Sequence, residues 1–157
     1  MRVAIGSDHA GFELKQRLVR ELNARGHDVA DLGTDSTAPV DYPDFCFPVG
    51  EHVARGDADR GIVLGGSGIG ESIAANKVAG IRASVVTSDE TARLTRLHND
   101  SNVLALGART NPDHDAVVRW MLVWLDTPFE GGRHVPRLAK IADYERAHMT
   151  KGETPHV

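Results

Sequence analysis

The sequence predicts an α/β fold in which one parallel sheet of five strands carries helices on both faces. Short apolar runs alternate with stretches of helical periodicity along the chain, which is the pattern of βαβ units. The length of 157 residues is that of one ordinary domain. Hydrophobic residues make up 41% and charged residues 25% of the chain, which argues against disorder. The predicted architecture resembles the three-layer sandwich of the Rossmann or flavodoxin type, whose ligands bind at the carboxyl ends of the strands.

The spacing of apolar residues predicts the individual elements. The predicted strands are the short apolar runs at residues 3–5, 29–32, 62–64, 83–86 and 103–106. The predicted helices cover residues 12–22, 41–55, 71–77, 90–98, 113–124 and 136–148. We expect the second helix to kink or to split into two pieces at Pro48. We expect residues 1–149 to form a single domain and residues 150–157 to form a flexible tail.

Charge and cysteine content exclude several classes of function. The 18 basic and 22 acidic residues give a formal net charge of −4, so the basic excess of a nucleic-acid-binding protein is missing. Cys46 is the only cysteine, which excludes an internal disulfide and a cysteine zinc site, and its apolar neighbours predict a buried structural residue. The sequence contains no signal-peptide core and no apolar run of about 18 residues. We therefore expect a cytoplasmic protein without nucleic-acid or membrane partners, and without a local metal-ligand pattern.

A glycine-rich loop follows the third predicted strand. Five of the 16 glycines lie within residues 61–70, and such a loop exposes backbone N–H groups to an anion at the start of a helix. The identity of the anion is open, and a tight turn without a ligand is the alternative. The dinucleotide fingerprint G-x-G-x-x-G is incomplete, and the Lys-Ser/Thr end of a P-loop is missing. These two absences disfavour nucleotide binding.

Glu71 directly follows this loop and is the candidate general base. A carboxylate beside backbone N–H donors can remove a proton next to a carbonyl group while the donors hold the resulting oxyanion. The alternative is that Glu71 only caps the helix in its first turn. The helix N-terminus lowers the pKa of the carboxyl group and burial raises it, and the sequence leaves that balance open.

Further candidate residues lie near the expected ends of strands and helices. Asp8 and His9 follow the first strand, while His98 and Asn99 precede the fifth. Each alone is an ordinary surface or core residue, but two such clusters near a predicted ligand crevice are candidates for a site. The cationic side chains suited to a phosphate dianion are Arg109, Arg133, His134 and Arg137.

Six short motifs occur in a characteristic order and spacing. They are GSDHAGF at residues 6–12, DYP at 41–43, GGSGIG at 65–70, AANK at 74–77, HND at 98–100 and GGRH at 131–134. With these motifs the chain resembles the type B ribose-5-phosphate isomerases, within the wider family that includes bacterial galactose-6-phosphate isomerase subunits. The resemblance covers residues 1–148. It implies an aldose–ketose isomerase without metal or cofactor, acting as a homodimer or a dimer of dimers whose active sites lie between subunits. The C-terminal helix is then expected at the dimer interface.

The chain departs from many members of that family at the residue after the third strand. Those members carry a catalytic cysteine at this position, where the present chain has Gly65. A subgroup resembling actinobacterial enzymes has a glutamate after the glycine loop instead, and Glu71 matches it. The resemblance therefore implies that Glu71 is the base.

The resemblance also implies a reaction, the interconversion of ribose 5-phosphate and ribulose 5-phosphate in the non-oxidative pentose phosphate pathway. His98, helped by Asp8, is expected to open the sugar ring, and Glu71 to move a proton between C2 and C1 through a cis-enediolate. Backbone N–H groups of Gly66, Gly68, Ile69 and Gly70, with Ser67 Oγ, are expected to stabilise the enediolate. Tyr42 and Asn99 are candidates for holding sugar hydroxyl groups. The expected phosphate ligands are Arg133, Arg137, Arg109 and His9, some of them from the partner chain, with His134 beside them.

Two alternatives remain open from the sequence. The substrate can be another phosphosugar, such as allose 6-phosphate, galactose 6-phosphate or a tetrose 4-phosphate, because the distance between the arginines and Glu71 sets the length of the sugar. A flavodoxin-like module that binds a nucleotide or a flavin is the alternative from a different functional class.

Overall fold

The computed structural model describes residues 1–148 and contains one sheet of five parallel strands. The strands are β1 (Arg2–Ser7), β2 (Asp28–Asp31), β3 (Arg60–Gly65), β4 (Ala83–Val85) and β5 (Val103–Gly107). Every neighbouring pair is parallel, and each strand overlaps a predicted one. The predicted α/β class and parallel sheet are confirmed.

The strand order is β2-β1-β3-β5-β4. The last strand in sequence is thus inserted between β3 and β4, unlike the order 2-1-3-4-5 of flavodoxin. Ser7 pairs with Leu64, and Gly65 pairs with Gly107. The loops that follow β1, β3 and β5 are therefore neighbours at the carboxyl edge of the sheet.

The helices cover both faces of the sheet. They are α1 (Phe12–Ala24), α2 (Pro43–Ala54), α3 (Ile69–Ala75), α4 (Asp89–Asn99), α5 (His114–Asp126) and α6 (Val135–His148), with a 3-10 turn at Gly132–His134. In β1, Val3 and Ile5 pack in a large cluster with residues of α1 and α5, whereas Ala4 packs on the other face with residues of α2 and α3. Alternation along a strand thus builds two cores.

The face covered by α2 is packed closely enough to require glycine in β1. A Cβ atom at Gly6 would lie 2.7 Å from the carbonyl oxygen of Phe45 in α2. The helix α2 runs without interruption from Pro43 to Ala54, so the prediction that Pro48 splits it into two pieces is wrong. Burial of Cys46 and Val49 against the sheet holds the helix together where Pro48 lacks its backbone donor.

The helices α3 and α6 each have a feature that bears on the site: the first residue of α3 and the exposure of α6. The helix α3 begins at Ile69, two residues before the predicted start, which places Glu71 inside its first turn. The helix α6 has no buried residue within the described chain, and Val135, Ile141 and Tyr144 are each more than half exposed. The predicted tail at 150–157 lies outside the described residues. Among residues 1–148, none of the helices combines the length and apolar character that crossing a membrane requires.

Candidate active site

The glycine-rich loop after β3 is clamped between two other segments. Gly68 has a φ of +79°, and a Cβ atom there would lie 2.9 Å from the backbone of Leu106. On the other side, a Cβ atom at Gly70 would lie 2.8 Å from the ring of Tyr42. The carbonyl oxygens of Gly65 and Gly66 accept hydrogen bonds from the N–H groups of residues 108 and 109, at 2.9 and 3.0 Å. The glycines therefore let the loop pack directly against the backbone at the end of β5 on one side and against the Tyr42 ring on the other.

Ser67 belongs to this loop, and the structure also brings Arg109, which the sequence places only after the fifth strand, next to it. The Ser67 Oγ atom accepts a hydrogen bond from the Ile69 N–H at 3.2 Å, so this hydroxyl also shapes the turn. The Arg109 side chain passes close to Gly66, where an added Cβ atom would lie 3.7 Å from Arg109 Cδ. The loop thus presents a hydroxyl group and a guanidinium group beside its backbone.

Glu71 turns its carboxylate back into the space beside Gly65. The residue is 4% exposed, and a Cβ atom at position 65 would lie 1.5 Å from Glu71 Oε1. Any side chain at position 65 therefore excludes the carboxylate from its place. The position of the Glu71 carboxylate thus depends on glycine at position 65. The other carboxylate oxygen of Glu71, Oε2, is buried without a hydrogen-bond partner among residues 1–148.

The electrostatic balance at Glu71 favours a base. Burial raises the pKa of the Glu71 carboxyl group, and the nearby charge of Asp8 raises it further. The backbone N–H groups of Gly68 and of Glu71 itself oppose this rise. A carboxyl group with a raised pKa is a stronger base when it is ionised.

Asp8 is held rigidly at the end of β1. Its Oδ1 atom accepts hydrogen bonds from the N–H groups of Ala10 at 2.9 Å and Gly11 at 3.1 Å, and the residue is buried. The adjacent His9 accepts a hydrogen bond at Nδ1 from the Val40 N–H at 3.2 Å. A neutral His9 ring therefore carries its proton on Nε2, which makes Nε2 a donor.

Cys46 lies beneath these carboxylates. The prediction that it is buried is confirmed. Burial, with the charges of Glu71 and Asp8, raises the pKa of the thiol to about 12, so the thiol stays protonated at neutral pH and is a poor nucleophile.

The remaining predicted site residues lie at the opposite edge of the sheet. The helix α4 follows β4 and runs back to the start of β5, so its last turn, with His98 and Asn99, reaches the amino edge. The Asn99 carbonyl oxygen accepts a hydrogen bond from Arg82 Nε at 2.9 Å, just before β4 begins. The N–H of Glu130 donates to the Leu97 carbonyl oxygen at 3.1 Å. This contact fixes the segment that leads to the GGRH motif against the end of α4.

At this amino edge the side chains of four residues form a compact group, which we call the histidine cluster. The His98 and His134 rings are stacked, with centroids 4.5 Å apart. Glu130 Oε2 lies 3.6 Å from His134 Nε2 and 3.9 Å from His98 Nε2. Arg133 Nε donates to His134 Nε2 at 3.4 Å, and burial together with the charges of His98, Arg133 and Arg137 lowers the pKa of His134. Glu130 received no role from the sequence, because the segment that brings it to the two histidines is not α-helical and follows no regular spacing rule.

The structure therefore divides the predicted site into two groups. Asp8, His9, Tyr42, Ser67, Glu71 and Arg109, with the loop from Gly66 to Gly70, lie at the carboxyl edge. His98, Asn99, Arg133, His134 and Arg137 lie at the amino edge or in the segment beside it. Because the two edges are a full strand length apart, the proposed pairing of Asp8 with His98 does not form within one chain.

Comparison with known proteins decides the family. The sequence model of the family described as Ribose/Galactose Isomerase matches residues 3–141. The chain belongs to this family. Ribose-5-phosphate isomerase B of Escherichia coli is 45% identical, over 92% of this chain and 97% of that protein. The resemblance inferred from the six motifs is thus confirmed.

Solved structures of family members superimpose on the whole described fold. Ribose-5-phosphate isomerase B of Clostridium thermocellum has a TM-score of 0.92 and 48% identity, covering 94% of this chain and 99% of that one. Ribose-5-phosphate isomerase B of Mycoplasma genitalium, solved with bound ribulose 5-phosphate, has a TM-score of 0.88 and 40% identity, covering 92% and 96%. The inserted position of β5 is therefore a shared property of a fold on which such enzymes are built.

Proposed function

We propose that this isomerase interconverts ribose 5-phosphate and ribulose 5-phosphate at a site assembled from two copies of the chain. Membership of the family and 41–45% identity to enzymes named ribose-5-phosphate isomerase B make the protein an aldose–ketose isomerase. The bound ribulose 5-phosphate of the Mycoplasma genitalium relative supports the substrate. The observation that carries the mechanism is the buried Glu71 carboxylate in the space beside Gly65.

The proton transfer is assigned to Glu71. In the open-chain aldose, Glu71 removes the proton from C2 and returns it to C1, while the electron pair moves through a cis-enediolate to give the ketose. In the same interconversion the proton of the C2 hydroxyl group moves to the oxygen on C1, so that the aldehyde becomes an alcohol and C2 becomes the carbonyl carbon. Its desolvated carboxylate stands beside a loop whose backbone N–H groups, with Ser67, can stabilise the negative oxygen of the enediolate. One such donor contributes about 3–4 kcal/mol to lowering a barrier.

Ring opening and phosphate binding are assigned to the other edge of a second copy. His98 of one chain would shuttle the proton that opens the furanose ring next to Asp8 and Glu71 of its partner. Arg133 and Arg137, with His134, would hold the phosphate, joined by His9 and Arg109 at the carboxyl edge. A single chain holds these two groups at opposite edges, so one sugar phosphate can reach both only between chains.

Unpartnered apolar surface supports a second copy. The helix α6 buries no residue within the described chain, although an isolated helix of this length is marginal in water. On α3, beside the glycine loop, Ile69 and Ile73 are each 58% exposed. Association of two chains through these faces would bury them and bring a partner close to Glu71. The homodimer, like the cytoplasmic location, stays a prediction.

The test is a direct assay of the purified protein with ribose 5-phosphate, allose 6-phosphate and a tetrose 4-phosphate. We expect ribose 5-phosphate to have the highest kcat/KM of the three. Turnover of another sugar with none of ribose 5-phosphate would overturn the substrate assignment and leave the isomerase class intact.

A further inference from the structure

We propose that His98, Glu130 and His134 form a binding site for a divalent transition metal, of which zinc is the best match. The isomerisation described above involves no metal, so this site would be inhibitory. The metal site itself stands on the geometry of the histidine cluster. Only the inhibition rests on the proposed function, because it requires His98 and His134 to act on the substrate.

Three ligand atoms converge in this cluster. His98, His134 and Glu130 each offer one ligand atom, and these three atoms all lie within 4.8 Å of one another. With the two nitrogens 3.9 and 3.6 Å from Glu130 Oε2, a point equidistant from the three lies roughly 2.4 Å from each, against about 2.0–2.2 Å for zinc bonds to imidazole and carboxylate. Because the two rings are stacked with an interplanar angle of 17°, their lone pairs run nearly parallel, and one ring has to rotate before both nitrogens and the carboxylate can bind the same ion.

The chemistry of the three ligands matches zinc. Two imidazole nitrogens and one carboxylate, with a fourth position left for water, are a set found at catalytic zinc sites. His134 Nε2 accepts the hydrogen bond from Arg133, so it carries a lone pair and the ring is in the tautomer that ligates through Nε2. His134 Nε2 therefore has a lone pair with which it can bind a metal ion.

Exposure lets the cluster adjust to an ion. The side chains of His98 and Glu130 are 35% and 51% exposed, so an ion can enter and the stacked His98 ring can rotate towards it. Arg133 is also exposed and has to turn away from His134. The positive charges of Arg133 and Arg137 weaken cation binding. We therefore expect the site to bind added zinc ions reversibly.

Zinc in this position would compete with the sugar phosphate. The ion would occupy the lone pairs of the histidine assigned to ring opening and of the histidine beside the phosphate. Inhibition should be competitive with ribose 5-phosphate, and a chelator should reverse it. The same residues would thus serve substrate and metal in turn.

The direct test measures zinc binding by the full-length purified protein in competition with a chromophoric zinc indicator. Glu130→Gln removes one ligand at an exposed position where the fold does not depend on it, and we expect zinc binding to weaken at least about tenfold. His148→Asn, a histidine outside the cluster, is the matched control and should bind zinc as the parent protein does. Glu130→Ala provides a second variant, and the melting temperature confirms that each variant is folded.

Activity gives the second readout. Each protein is compared with its own activity in the absence of zinc, and Glu130→Gln should require at least about tenfold more zinc than the parent protein for half inhibition. Equal zinc binding by the parent protein and both Glu130 variants would overturn the site. Binding that depends on Glu130 without competition against ribose 5-phosphate would overturn the inhibition. Absence of ribose 5-phosphate turnover alongside Glu130-dependent binding would instead overturn the proposed function and leave the metal site standing.

Discussion

The two edges of the sheet differ in charge, burial and construction. At the carboxyl edge, Asp8 and Glu71 are less than 10% exposed and are held by strand ends and backbone N–H groups. At the amino edge, His98 belongs to the end of a helix and is half-buried, and Arg133 belongs to the segment after α5 and is exposed, although His134 next to it is buried. A base gains strength from desolvation, which a single chain provides by packing. Cations that capture a phosphate have to be reachable from solvent, so they can be delivered by a second chain.

The largest effect is expected from removing the proposed base at the carboxyl edge. Glu71→Gln keeps the shape of the side chain and abolishes its basicity, so kcat should fall by roughly 10²–10⁴-fold while binding of the phosphosugar persists. Glu90→Gln is the matched control, because Glu90 is an exposed glutamate in the first turn of α4. Near-normal turnover of the Glu71 variant would refute the assignment of the base.

A methyl group at position 65 tests the packing of the carboxylate. In Gly65→Ala the new Cβ atom overlaps Glu71 Oε1, so the carboxylate must move and kcat should fall by about 10²-fold or more. Gly66→Ala is the neighbouring control, since its Cβ atom would meet only Arg109, at 3.7 Å or more, and we expect a much smaller loss. Equal kcat values for the two variants would show that displacing the Glu71 carboxylate from the space beside position 65 does not affect catalysis.

Mixing inactive chains tests whether the two edges meet between copies. Glu71→Gln lacks the carboxyl-edge base, and Arg133→Ala with Arg137→Ala lacks the cations beside the histidine cluster. Random exchange between dimers makes about half of them mixed, each with one intact site of two, so activity should recover to roughly one quarter of the parent level.

The control is each variant incubated alone, which should stay inactive. If labelled subunits demonstrably exchange and activity does not return, Glu71 and the two arginines act from the same chain. The shared site would then be wrong, although the isomerase class would stand.

The smallest expected effect is a pH-dependent change in protein stability that follows from the burial of Glu71. Because the folded pKa of Glu71 is raised, the native state binds this proton more tightly than the unfolded chain. Stability is therefore lost as pH rises from the ordinary carboxyl pKa through the raised one. Glu71→Gln has no carboxyl group to titrate and does not lose this stability. The melting temperature of the variant minus that of the parent protein should therefore be larger at pH 7 than at pH 4. If the difference in melting temperature between the two proteins is the same at both pH values, the raised pKa of Glu71 is contradicted.

Much of the fold could be predicted from local patterns. Within residues 1–148, apolar runs located the five strands, and apolar spacing together with capping and proline signals located the six α-helices, because burial of one face and the ends of helices both leave regular patterns in the sequence. The behaviour of Pro48 was not predictable in this way, since the packing of Cys46 and Val49 outweighs the missing donor. The insertion of β5 between β3 and β4 was not predictable either, because a strand buried on both faces shows the same apolar pattern at any central position.

The candidate site residues could be predicted without coordinates. The motifs pointed to the glycine loop, Glu71 and the cationic segment that ends in Arg137, because side-chain chemistry and spacing are properties of the sequence. The folded chain was needed to show that Glu71 occupies the space beside Gly65, that Glu130 lies between two histidines, and that His98 lies a full strand length from Asp8. The physical reason is that these are relations between elements, and they depend on strand order and helix direction, which contacts among distant residues select.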